Sequence, residues 1–370
     1  MEEISNTYSL TEAKVAKMER DPVKTVIMAS MIGTAIEFFD FYAYGTAAAT
    51  YFPNVFFPSV TPTIAMILSL LTFGVAFLAR PLGSLLFGHF GDKLGRKRAL
   101  VVSLLMMGLS TVVIGFLPGY RTLGMTAILL LCLARFIQGI GLGGEWSGAV
   151  LVATENAPKG KRALFGSFTE LGAPIGFFLS NGLYVILETV LTKSQMVEFG
   201  WRVPFVASAV LVVFGLWVRR KMQETPLFRL AQKRDNVKKA PLAQVFTKSW
   251  KQILQGTFIM AISYTFFFLL STWSLSYGTA VLGFDSREFL MLLMGSIVVF
   301  AGMIVYSSIL SDRFGRRTVL LAGTAAIFVF SFVFPFFFQG HQNVVGTLFF
   351  LFGWFLSNGS YLWSSWCNAA

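Results

Sequence analysis

Two carboxylates three residues apart, Glu37 and Asp40, lie inside a long apolar run, and a basic residue, Arg135, lies inside another. Ionisable side chains are expensive in hydrocarbon, so in a membrane span they face the protein interior and mark function by default. At 100° per residue Glu37 and Asp40 share one face of a helix, with Tyr44 one turn further on. Left toward lipid, each would cost about 2.5–3.5 kcal/mol. A hydrogen-bonded structural pair and a proton-binding carboxylate both fit this pattern. Arg135, Gln138 and Glu145 fall within about 80° of one another on a helix. Arg135 is the natural countercharge for Asp40 or Glu37, because a buried arginine without a partner is costly. Glu145 reads equally as support for a gate at the nearby loop. Arg80, followed by Pro81, fits snorkelling, a carboxylate pair or anion binding.

The elements that must position these residues are membrane helices. Hydrophobic residues make up 55% of the 370 and charged residues 13%, about half of what a soluble domain carries. Ten apolar stretches of about 20 residues begin near Val26, Pro62, Ala99, Thr126, Ala163, Val203, Ile253, Phe289, Thr318 and Val344. The fold class expected is therefore an all-α membrane protein, and the alternating pattern of a β-barrel is absent. The formal charge of +12 is a matter of topology, not of nucleic acid. Twenty-four Lys and Arg lie in the N-terminal tail and the alternate loops on its side, and four (Arg121, Lys193, Arg202, Arg287) lie on the other. This split places the N-terminus in the cytoplasm. Residues 1–25 form a cytoplasmic tail, 26–218 a first bundle of six helices, 219–251 a charged cytoplasmic loop and 252–370 a second bundle. An amphipathic stretch is expected near Leu227–Gln232.

A repeat relates the two bundles. Gly88-His-Phe-Gly-Asp92-Lys-Leu-Gly95-Arg96-Lys97 follows the second stretch, and Ser308-Ile-Leu-Ser-Asp312-Arg-Phe-Gly315-Arg316-Arg317 follows the eighth. Positive-inside charge explains the basic residues but not Asp, Gly and a basic pair at matched spacing. Each copy reads as a short cytoplasmic loop in which glycine permits the turn, aspartate faces a helix N-terminus and the basic pair holds the headgroups.

The repeated loop resembles the major facilitator superfamily. The segments Glu37-Phe-Phe-Asp40-Phe-Tyr42, Ala79-Arg80-Pro81-Leu-Gly83, Arg135-Phe-Ile-Gln138-Gly139-Ile-Gly141-Leu-Gly143-Gly144-Glu145-Trp146, Gly200-Trp201-Arg202-Val-Pro204-Phe205 and Glu224-Thr-Pro226 narrow the resemblance to its metabolite:H+ symporters, nearest the shikimate-transporter branch. The resemblance implies twelve helices, six plus six, in a monomer of the cell inner membrane, with proton-coupled uptake of a small polar metabolite, most simply an organic acid, by alternating access. Family members also carry dicarboxylates, citrate, proline or betaine. It implies Asp40, Glu37 and Arg135 as coupling elements, Arg135, Gln138, Tyr44, Arg80 and Trp146 around the substrate, Gly88, Asp92, Gly95, Arg96, Asp312, Gly315 and Arg316 as gating loops, and Glu145 as gate support. No cofactor is expected beyond the coupling proton, no metal site, and no catalytic residue. The alternative is a membrane protein that does not transport.

Gly139, Gly141, Gly143 and Gly144 read as helix-packing residues, since no strand precedes them. The tail Ser357–Ala370 departs from the family pattern. One set of synonymous codons for it, read one base later, gives L-M-G-A-T-Y-G-P-L-G-A-M-L. An out-of-frame tail is therefore expected, with about four helices in the second bundle, a remnant of a longer transporter that is poorly stable or inactive.

Overall fold

The computed structural model describes residues 23–94, 96–143, 161–221 and 250–337, with 346–347, 351 and 353. Nearly all of them are helical. The long helices are α1 (Val23–Thr50), α2 (Pro62–Leu94), α3 (Arg96–Phe116), α4 (Met125–Gly143), α5 (Arg162–Glu170), α6 (Gly172–Val190), α7 (Arg202–Lys221), α8 (Trp250–Phe268), α9 (Ser274–Ala280), α10 (Ser286–Phe314) and α11 (Arg316–Phe337). Six described helical spans are long and apolar enough to cross a membrane, or seven if the bent pair 193–200 and 202–218 is one span. The expected starts of the first nine stretches agree with the described helices within a few residues. Most of the tenth, the tail, and the stretch Leu227–Gln232 lie outside the described residues, as do Glu145 and Trp146.

Burial is inverted relative to a water-soluble protein. Leu78, Phe116, Val190 and Phe336 point outward, while Glu37, Asp40, Arg135, Gln138 and Asn181 are buried. Such a distribution is stable only where the surrounding medium is itself apolar. The interior is filled by aromatics from both halves: Phe41 meets Phe73, Phe38 meets Phe267 and Tyr42 meets Phe177 edge to face, and Phe41 meets Phe268 at a tilt.

The sequence placed Gly88 to Lys97 and Ser308 to Arg317 in loops. The helices instead run on: α2 carries Gly88 and Asp92 to Leu94, and α10 carries Asp312 to Phe314. At 33 residues α2 is about 50 Å long, well beyond a hydrocarbon core of about 30 Å. Gly315, at φ +87°, makes the turn alone, and Arg316 already starts α11. The side chains of Asp92 and Arg96, and Gly95 itself, lie outside the described residues. Two helices are also interrupted. The fifth stretch divides at Leu171 into α5 and α6, and a π-helical turn, Leu269–Trp273, joins α8 to α9.

The α4 glycines bring backbones together. A methyl group on Gly139 would lie 2.2 Å from the Ala76 carbonyl oxygen, and one on Gly143 the same distance from that of Arg80. Gly172 and Gly176 likewise seat α6 on the α1 backbone between Met31 and Phe39. Without a hydrophobic drive between helices in lipid, this close packing supplies the association. We therefore expect Gly139→Leu to yield no monodisperse protein on size-exclusion chromatography, because the atom it strikes is backbone. Gly74→Ala, where nothing lies within 4 Å, should leave the profile unchanged and raise thermal stability by about 0.5–1 kcal/mol.

Candidate functional site

Asp40 on α1 is 1% exposed and Arg135 on α4 is fully buried, yet the two are not in contact as an ion pair. A chain of neutral side chains joins them instead. The Arg135 Nη1 donates to Gln138 Oε1 at 2.5 Å, Gln138 Nε2 donates to the Thr111 hydroxyl at 2.8 Å, and that hydroxyl lies 2.7 Å from Asp40 Oδ2. The helical spacing of Arg135 and Gln138 thus produces a real contact. The direct Arg135–carboxylate pair expected from the sequence is corrected: α4 places the guanidinium on other partners. Its Nη2 donates to the Phe73 carbonyl at 3.0 Å, and its plane lies 3.9 Å from the centre of the Tyr44 ring. Tyr44 in turn shares a hydrogen bond with Thr72. The guanidinium is held by one amide, one carbonyl and one aromatic face, a fit for its planar fork of donors.

Glu37 turns to a different partner. Its carboxylate is 3.6 Å from Arg80 Nη2, and Arg80 lies over the Phe77 ring at 4.9 Å. Of the three readings left open for Arg80, the structure shows the carboxylate pair. The Arg80 side chain keeps 22% exposure. Glu170, the last residue of α5, is buried within electrostatic reach of Glu37, and Tyr264 on α8 lies within electrostatic reach of both carboxylates and Arg80. Sequence reasoning missed Glu170, although a carboxylate inside the fifth apolar stretch was the same signal that singled out Glu37. Nothing in the sequence marked Thr111, since hydroxyls are common in membrane helices.

Each end of the molecule carries a contact between its halves. At the basic end, both Asp312 oxygens, on α10, accept from the backbone N–H groups of Ala163 and Leu164 at 3.1 Å. This caps the first turn of α5, where orphan N–H groups and the helix dipole favour an anion. At the other end the Lys193 ammonium is 2.9 Å from Asp285 and holds its carboxyl below the ordinary value. Tyr51 donates to Glu188 nearby, beside a cavity of about 670 Å³. A depressed carboxylate pair is present above the ordinary carboxylate range and is lost only as the pH falls through the depressed value. Mild acidification therefore leaves the Lys193–Asp285 contact intact.

The Major Facilitator Superfamily model matches residues 30–369. The chain belongs to that family. Its fold is that of a multi-pass membrane transporter, not an enzyme. It is 53% identical over 310 residues to the inner membrane metabolite transport protein YhjE of Escherichia coli (strain K12), covering 83% of this chain and 70% of that one. It is 38% identical to the shikimate transporter of the same strain, covering 87% and 74%. Among solved structures, the partially occluded inward-open xylose transporter XylE from E. coli superposes with a TM-score of 0.71 over 94% of this chain and 88% of that one, at 18% identity. The Asp312 contact joins α10 to the start of α5 across the two halves. Asp312→Ala removes a cap of about 1 kcal/mol. Spin labels at Lys161 and Arg313, both exposed, should show the longer-distance population rising about fivefold relative to the closed one. An unchanged distance distribution would mean that the cap does not hold this end.

Proposed function

We propose that this protein takes up a small polar metabolite, an organic acid, together with protons, by alternating access in the inner membrane, with its N-terminus in the cytoplasm and as a monomer. The observation that carries the reading is Asp40, a carboxylate buried at mid-helix whose hydrogen-bonded chain ends on a buried arginine. A group so placed changes the charge of the interior when it takes a proton, and that difference between two states is what couples a proton gradient to a conformational equilibrium. No other cofactor enters the reading; the proton is the coupling ion.

The substrate carboxylate is assigned to Arg80 ahead of Arg135. Arg135 has both terminal nitrogens engaged and no exposed surface, whereas Arg80 remains accessible between Phe41 and Phe77. Tyr44 and Gln138 then serve to hold Arg135 and not to touch the substrate, which departs from their expected place around it. The two metabolite-transporter relatives support the transport reading, and one of them, by its name, a carboxylate substrate.

Reconstitution into proteoliposomes tests this. With an acid exterior, the wild-type protein should accumulate radiolabelled shikimate or another small carboxylate offered in a screen. Asp40→Asn should abolish gradient-driven accumulation while leaving substrate counterflow measurable. Accumulation by Asp40→Asn equal to wild type would remove Asp40 from the coupling, and a preference for cationic or apolar solutes would remove the organic acid.

A further inference from the structure

The cavity of about 670 Å³ at the Lys193 end lies between the two halves. Its walls come from the end of α1 and the start of α2, from the stretch 188–197, and from the stretch 279–286. Glu188, Lys193 and Asp285 line it, and the coupling reading uses none of them. Pro62, at the start of α2, lines it as well. From there to Arg80, the residue assigned to the transported carboxylate, is about 27 Å of helix. The cavity is therefore a separate place, and a solute arriving from this end meets it first.

The polar groups on these walls are unevenly answered. Glu188 Oε1 accepts from the Tyr51 hydroxyl, whereas Glu188 Oε2 is buried with no hydrogen-bond partner among the described residues. The Ser286 hydroxyl, from the second half, is buried without one too, although it stands close enough to act on the same carboxylate. A gap between a carboxylate oxygen and a hydroxyl calls for a group that both donates and accepts. A ligand hydroxyl does both, whereas an ammonium has no lone pair for the Ser286 O–H. The third group is the Lys193 ammonium, at the exposed mouth and within electrostatic reach of Glu188. Asp285 holds it at 2.9 Å, but exposed ion pairs are weak, and a carboxylate from solution can take that place. The exchange does not strand Asp285. Its side chain is 44% exposed, and it stands at the start of α10, where the helix dipole favours an anion.

We infer that this cavity is an outer docking site for a small hydroxycarboxylate, with the ligand carboxylate on Lys193 in place of Asp285 and a ligand hydroxyl between Glu188 and Ser286. Lys193 supplies the charge that any carboxylate can use. Glu188 and Ser286 supply the selection: a carboxylate without a hydroxyl reaches the same ammonium but leaves Glu188 Oε2 buried and unanswered, which is costly. Both halves contribute walls, Glu188 and Lys193 from the first and Ser286 from the second. The site therefore holds its ligand while this end is closed and lets it go when the halves part.

The inference deepens the proposed function, from which it takes the entry side and the carboxylate class, and its test reads this one site. The full chain in nanodiscs is treated with an amine-acylating reagent, and the rate at Lys193 is followed by mass spectrometry, with exposed Lys161 at the other end as the control. Shikimate, the probe, should slow acylation of Lys193 and not of Lys161. Cyclohexanecarboxylate, which has the carboxylate without hydroxyls, should need about tenfold more for half-protection. In Glu188→Ala the two probes should become equal, with shikimate falling to the level of cyclohexanecarboxylate. Asp285→Asn removes the competitor for Lys193 and should lower the half-protecting concentration of both by about fivefold. Arg80→Gln should leave the protection in place; where that variant does not fold, the Glu188→Ala comparison decides. Absence of protection, equal potency of the two probes on the wild-type chain, or protection lost in Arg80→Gln and kept in Glu188→Ala overturns the docking site. Any of these beside intact proteoliposome accumulation leaves the proposed function standing, and lost accumulation beside intact, hydroxyl-selective protection leaves the docking site standing without it.

Discussion

Every charge inside this protein has to be answered by the protein, because hydrocarbon offers it nothing. Arg135 shows what this requires. Its partners come from three places: Gln138 on its own helix, the Phe73 carbonyl on α2, and the Tyr44 face on α1. A backbone carbonyl of α2 is within reach only because α2 and α4 nearly touch, and they touch because Gly139 and Gly143 present no side chain to the Ala76 and Arg80 carbonyls. Satisfaction of one guanidinium thus fixes the spacing of a helix pair. The same logic runs through α1 and α6, where Gly172 and Gly176 seat one backbone on the other and bring Glu170, just ahead of them, to the level of Glu37.

Two interior charge groups result, and they differ in access. Asp40, Thr111, Gln138 and Arg135 are sealed within the first half. Glu37, Arg80 and Glu170 lie toward the second half, which contributes Tyr264. The sealed group suits a proton, which needs only a hydrogen-bonded path. In the second group only Arg80 keeps exposed surface, and the proposed function places the solute there. Helix α5 joins this second group to the basic end, since Glu170 ends it and the Asp312 carboxylate caps its start, nine residues or about 13 Å away. A change of charge at Glu37 and Glu170 and a change at the Asp312 joint therefore act on the two ends of one short rod.

What the sequence made legible follows from the same physics. Spans could be counted because apolar length is set by the bilayer, and Glu37, Asp40, Arg80 and Arg135 stood out because charge is rare there. The Arg135–Gln138 contact was legible too, since it depends only on helical spacing. Partner choice between helices was not. Whether Asp40 meets Arg135 or Thr111 depends on how far α3 stands from α1 and α4, and that distance comes from glycines whose neighbours a single sequence does not name. The repeated Gly-x-x-x-Asp segments were read as loops because glycine and charge are ordinary loop signals. Hydrogen bonding runs on through them to Leu94 in α2 and to Phe314 in α10, where Gly315, free to take positive φ, ends it.

The chain of neutral side chains between Asp40 and Arg135 has an energetic consequence that a direct ion pair lacks. Neutralising one member of a buried pair strands the other, at a cost of about 3–5 kcal/mol. That cost would be charged against every proton bound. Arg135 escapes it, because an amide oxygen, a carbonyl and an aromatic face hold it whether or not Asp40 is ionised. A proton exchanged at Asp40, as proposed, would then not leave its countercharge an orphan. The free-energy difference between the two states of the site stays small, which a cycling transporter needs, since a deep well in either state would stop the cycle there.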